Sequence, residues 1–148
     1  KSMDEAAYRS ARGEINRLPC VVEKALLARC AVCQLAEHHA LAERVTIACT
    51  SPVARAECGQ LSGLLREKSA FALRLTSTQR ILPHAMVMKI QCGGLIGMQQ
   101  VLDAEAPAPD VHRLVRLARE RHGELAALPY SEIVKGVAAF QLRRRRKP

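Results

Sequence analysis

From Cys20 to Arg44 the chain runs without a glycine or a proline, and the run is dense in strong helix formers. Val21, Val22, Ala25, Leu26, Leu27, Ala28, Leu35, Ala36, Ala40 and Leu41 supply its apolar positions. Ala, Leu, Arg, Glu and Gln lose little freedom on entering a helix. The run therefore predicts one long helix, broken at most near His38 and His39. Val45-Thr46-Ile47 is β-branched, and a short strand there is the rival reading. The apolar residues elsewhere are mainly Leu, Ala, Val and Ile, with two Phe, two Tyr and no Trp.

Further start and stop signals follow. Ser51 is an N-cap before Pro52, which suits a first helical position, so a second helix is expected from Pro52 to Leu75. Thr76-Ser77-Thr78 marks a connection. Pro83 opens a third helix, His84 to Leu102, interrupted at Gly93-Gly94. Each glycine costs roughly 1 kcal/mol against alanine inside a helix, so the pair points to close packing or a kink. Asp103 to Pro109 reads as a linker. Asp110 caps a helix over Val111 to His122 that Gly123 stops, and Leu128-Pro129-Tyr130-Ser131 starts a last helix toward Leu142. The expected fold is all-α, a compact helical bundle of about five helices with antiparallel neighbours. It divides into an N-terminal arm (1–18), a cysteine-bearing helical module (19–102), a C-terminal helical pair (110–142) and a basic tail (143–148).

The 148 residues suit one domain, and 49% hydrophobic content is enough for a core without staples. No apolar run approaches the roughly 18 residues of a membrane span. The start, Lys1-Ser2-Met3-Asp4-Glu5, shows no secretory signal, which leads to the expectation of a reducing, cytoplasmic setting. Clustered thiols in such a setting point to metal or redox chemistry rather than structural disulfides. The formal charge is +9. Arg143, Arg144, Arg145, Arg146 and Lys147 supply five of those charges, which leaves about +4 for the body. The high isoelectric point is largely a property of the tail.

The six cysteines are Cys20, Cys30, Cys33, Cys49, Cys58 and Cys92, and none follows residue 92. In a helix turning about 100° per residue, Cys30 and Cys33 share a face with Val22, Leu26, Leu41 and Glu37. A carboxylate in an apolar stripe is costly unless it is paired or bound, so Glu37 is expected to point inward beside the thiols. Cys58 lies at the edge of a stripe of Ala54, Leu61, Leu65 and Ala72. Cys92 lies near the middle of one formed by Ala85, Met88, Leu95 and Ile96. Cys49 sits at the connection between the first two helices. Thiolates are soft anions, and four of them suit an iron–sulfur cluster or zinc. The expected ligands are Cys30, Cys33, Cys49 and Cys58, with Cys92 or Cys20 able to replace one. Otherwise Cys20 and Cys92 pack as small hydrophobes. The expected cofactor is an iron–sulfur cluster such as 4Fe–4S, with zinc as the alternative. A disulfide within Cys30-x-x-Cys33 is a separate option.

The functional expectation is a small metal-binding protein for electron transfer, redox sensing or cluster handling, working with a protein partner. The alternative is a metal-free regulatory or interaction module. It would bind nucleic acid or an acidic partner through Arg113, Arg116, Arg119 and the segment Arg143 to Lys147. That basic stripe lacks aromatic residues for base stacking. His38 and His39 read as solvated, and Met86 and Met88 lie too far apart around a helix to share a site. No glycine-rich phosphate loop after a strand, no G-x-S-x-G and no H-E-x-x-H is present, so hydrolase chemistry has no foothold.

Overall fold

The computed structural model describes residues 4–75 and 81–142. The expected connection at Thr76-Ser77-Thr78 and the basic tail Arg143 to Lys147 lie outside them. Elements run in the order α1 (Glu5–Ile15), α2 (Glu23–Leu27), β1 (Ala36–Leu41), β2 (Arg44–Cys49), α3 (Pro52–Ser69), α4 (His84–Met88), a π-turn (Lys89–Gly93), α5 (Gly94–Leu102), α6 (Val111–His122), a 3-10 turn (Leu125–Ala127) and α7 (Tyr130–Ala139). The fold is mostly helical, but β1 and β2 pair antiparallel, which overturns the all-α expectation.

The long helix expected from Cys20 to Arg44 does not form. It survives only as α2, and the chain then turns twice without glycine. Arg29 adopts φ 62°, with its N–H donating to the Leu26 carbonyl at 3.1 Å and the Cys30 N–H to the Ala25 carbonyl at 3.0 Å. That pair of bonds is a Schellman ending with arginine where glycine is usual. Ala42 adopts φ 57° in the two-residue turn between Leu41 and Arg44. Left-handed backbone costs a non-glycine residue about 1–2 kcal/mol. Tertiary burial offsets it: Ile47 and Thr46 of β2 are fully buried, as is Ala25 of α2. Helix propensity along this run therefore loses to the pairing of Val45-Thr46-Ile47.

The hairpin is clamped from two sides. Leu18 to Cys20 lies along β2, with the Cys20 N–H donating to Ile47 and the Cys49 N–H to the Leu18 carbonyl. The α1 helix, capped by Asp4, reaches the same strands. Arg12 donates to Thr46 Oγ1 at 2.9 Å and to both oxygens of Glu23. Glu23 in turn accepts from the Thr46 hydroxyl and the Ile47 N–H at 2.8 Å. This network fixes α2 to β2.

The second half is a helical bundle around Leu61, Leu65, Leu95, Met98, Leu114 and Ile133, each at most 1% exposed. Each buried aliphatic side chain contributes roughly 1.5–3 kcal/mol. The expected interruption at Gly93-Gly94 is the π-turn, and the helix continues through it. Its glycines serve the close approach of α7. A Cβ on Gly93 would lie 2.6 Å from the Gly136 carbonyl oxygen, and one on Gly97 would lie 2.4 Å from that of Ile133. Side chains at these positions would push the helices apart.

Candidate metal centre

Four of the six thiols line one small, partly open recess: Cys20, Cys33, Cys49 and Cys58. They come from four separate segments, and each is held by a local feature. Cys20 follows Pro19 on the segment paired with β2, where Arg55 Nε donates to the Pro19 carbonyl at 2.7 Å. Cys33 lies just before β1. The adjacent Val32 exchanges backbone hydrogen bonds with Pro109 and Val111 at the start of α6. Cys49 ends β2, and its thiol donates to the Ser51 carbonyl at 3.2 Å. Cys58 projects from the second turn of α3, which Ser51 caps through its hydroxyl.

The wall between the thiols is almost wholly apolar, formed by Val21, Val22, Leu35, Ala36, Ala48 and Val111, with Arg55 as the one cation among the described lining residues. Burial pushes the Cys20 thiol up to about 11 and the Cys58 thiol up to about 12, and raises Cys33 as well. The charge of the neighbouring cysteines adds to this at each of the three, after burial. Backbone amides pull the other way. The Val22 N–H faces the Cys20 sulfur, and the N–H groups of Leu35 and His112 face Cys33. Donors of this kind stabilise a thiolate, and the amide of His112 adds the positive end of α6. The recess thus offers soft donors, amides aimed at sulfur and the Arg55 guanidinium, in surroundings that favour the neutral thiol at Cys20, Cys33 and Cys58. Among the described residues no three His, Cys, Asp or Glu side chains stand in the arrangement that holds a single metal ion.

The placement differs from the sequence expectation at three residues. Cys30 does not line the recess; it packs against the core. The expectation that Cys30 and Cys33 share a helical face is overturned, because residues 30–35 are not helical. Cys20, expected to pack, is in the recess instead. Glu37 is on β1, its side chain 58% exposed and 3.1 Å from His39, so it does not point inward with the thiols. Cys33, Cys49 and Cys58 line the recess together, and Cys92 is fully buried in the core. Arg55 was not foreseen as a site residue, because nothing along a helical stripe marks a cation that bridges to another segment.

The basic stripe on α6 is partly engaged within the protein. Arg113 pairs with Asp103 at 2.9 Å and Arg119 with Glu57 at 3.2 Å, while Arg116 is exposed. No helix among the described residues is long and apolar enough to cross a membrane. The chain matches no protein-family model, no curated protein and no solved structure.

Proposed function

We propose that this chain holds a thiolate-bound metal centre, an iron–sulfur cluster ahead of zinc, through Cys20, Cys33, Cys49 and Cys58. The observation that carries the reading is the meeting of four thiols from four segments in one apolar recess. Core cysteines scatter through a hydrophobic interior; here the four gather at its edge, each partly exposed. Four thiolates would be prohibitive in such a wall without a cation to offset them. The amides of Val22, Leu35 and His112 with Arg55 supply part of that compensation, and a metal core supplies the rest.

The all-sulfur donor set suits an iron–sulfur cluster or zinc. Tetrahedral zinc with Zn–S bonds near 2.3 Å needs its sulfurs about 3.8 Å apart. Among the described residues no three His, Cys, Asp or Glu side chains stand in an arrangement that holds a metal ion, so uptake of either centre would draw the thiols closer together. A centre at the edge of the core, with partly exposed ligands, is placed to exchange electrons with a partner or to sense oxidants. We assign the chain to redox work of that kind, with zinc structure as the competing use of the same donors. The nucleic-acid reading has less support, because two of the three α6 arginines are already paired with carboxylates.

Anaerobic purification followed by iron and acid-labile sulfide analysis tests the proposal. The expected result is iron and sulfide in equal amounts with broad visible absorption that bleaches on reduction. Colourless protein with stoichiometric zinc would move the assignment to a structural site. Protein that takes up neither metal after reconstitution would sink it.

A further inference from the structure

The open edge of the sheet is β1. The far edge of β2 is taken, since the Cys20 N–H donates to the Ile47 carbonyl and the Cys49 N–H to the Leu18 carbonyl. In an antiparallel pair, alternate residues turn their N–H and C=O groups away from the partner strand. The Thr50 N–H donates to the Leu35 carbonyl just beyond the paired residues Ala36 and Cys49. That phase turns the backbone groups of Ala36, His38 and Ala40 outward. The Ala36 N–H is used by the Cys33 carbonyl at 3.1 Å, so the segment before β1 stands beside this edge. Among the described residues no backbone bond outside the hairpin engages His38 or Ala40. A groove opens between that segment and the hairpin, with Leu27 and Val32 on one wall and His38 and Val45 on the other. Leu27, Val32 and Val45 are 44%, 54% and 43% exposed. Single exposed apolar residues are ordinary, whereas a group of them along a groove marks an interaction surface. Arg29 supplies the groove's fixed charge, His38 can add a second positive one, and no carboxylate is among the described lining residues. Glu37 is on the opposite face of the hairpin, bound to His39.

We infer that this groove receives an extended segment of a partner protein in which apolar and acidic residues alternate. The segment adds to β1 as a third strand, exchanging backbone hydrogen bonds with His38 and Ala40. Strand addition of this kind takes its affinity from the main chain and its specificity from alternate side chains. Here the apolar side chains rest on Leu27, Val32 and Val45, and a carboxylate meets Arg29. A second copy of this chain fits less well. Paired about His38 it would set that residue against its own mate, and like charges directly opposite are unfavourable. The basic tail, Arg143 to Lys147, has the same sign as Arg29. Cys33 lines both this groove and the thiol recess, so a seated partner would lie against one wall of the recess. Electron exchange with that partner rests on the metal proposal, whereas the docking itself needs no metal.

The test titrates full-length protein, as purified, into two fluorescein-labelled synthetic peptides, one alternating valine with glutamate and one alternating valine with lysine. Anisotropy reads binding, and amide chemical shifts map the surface. The expected result is saturable binding of the glutamate peptide, on the order of tenfold tighter than the lysine peptide and weakened by salt, with shifts at His38 and Ala40. Arg29→Glu should erase or reverse the preference. Val32→Asp and Ala40→Pro, the first charging the groove and the second removing an outward N–H, should each abolish binding with the helical circular dichroism and the metal content unchanged. Equal binding of the two peptides, binding of neither, or shifts confined to another face would overturn the inference. So would light scattering that shows a dimer broken by Ala40→Pro, which would give the edge to a second copy. Metal-free protein that binds the glutamate peptide would remove the metal proposal and leave this one standing. Metal-bearing protein that binds neither peptide would do the reverse.

Discussion

The crossing of α5 and α7 provides a test in which one substitution has opposite signs at two places. Gly→Ala inside a helix gains about 1 kcal/mol from propensity alone. At Gly63, on α3, an added Cβ meets nothing within 4 Å, so G63A should stabilise by about that amount. At Gly97 the same carbon would lie 2.4 Å from the Ile133 carbonyl oxygen and 3.0 Å from its Cα. Backbone cannot rotate aside as a side chain can, so α7 must move by nearly an ångström. Movement of that size opens gaps around Ile133 and Val137, both fully buried. Overpacking costs typically 1–3 kcal/mol, and the upper end applies when both partners are backbone. Subtracting the propensity gain leaves G97A destabilised by about 2 kcal/mol, and the two variants differ by about 3 kcal/mol. Urea unfolding followed by circular dichroism at the helix band reads this directly. Melting temperatures should separate by roughly 6–12 °C at 2–4 °C per kcal/mol. Equal stability of G97A and G63A would refute the close helix crossing.

Three more outcomes follow from the same geometry. Arg29→Gly and Ala42→Gly should each stabilise by about 1 kcal/mol in urea unfolding, because each relieves a left-handed non-glycine residue; destabilisation at both would argue against the two turns. Glu23→Ala removes the acceptor for Arg12, the Thr46 hydroxyl and the Ile47 N–H and should cost about 2–3 kcal/mol, with loss of hydrogen-exchange protection at Ile47. In metal-free protein, Cys20 and Cys58 are neutral in the fold up to about 11 and about 12, against an ordinary thiol value of 9.0. Their burial therefore stabilises fully below pH 9 and is lost as pH rises through those higher values. Metal uptake has the opposite slope, since each bound thiolate releases a proton, so chelator-competed affinity should rise with pH across the neutral range.

Much of the helical half was legible because its signals are local. Asp110 and Gly123 bound α6 where capping chemistry puts them, and Ser51 with Pro52 opens α3. The hairpin was not legible, because its turn uses Ala42 where Asn-Gly or glycine would have signalled it. β1 carries helix formers that become a strand only because Val45-Thr46-Ile47 offers a buried partner. The error in the site had the same origin. Placing Cys30 and Cys33 on one helix gave them one face, whereas the turn at Arg29 sends Cys30 against the core and Cys33 to the start of α6. Cys20 joins the recess because Leu18 to Cys20 runs along β2, a long-range pairing that leaves no local trace.

The most direct test of the central claim compares Cys20→Ala with Cys30→Ala, two half-buried cysteines that sequence alone ranks in the opposite order. Both proteins would be purified anaerobically and their bound iron, zinc and sulfide measured per chain, with native mass spectrometry to weigh the intact complex. The four-thiol recess predicts that Cys20→Ala loses the centre and Cys30→Ala keeps it at the wild-type level. Retention in Cys20→Ala together with loss in Cys30→Ala would contradict the assignment of the recess as the metal site.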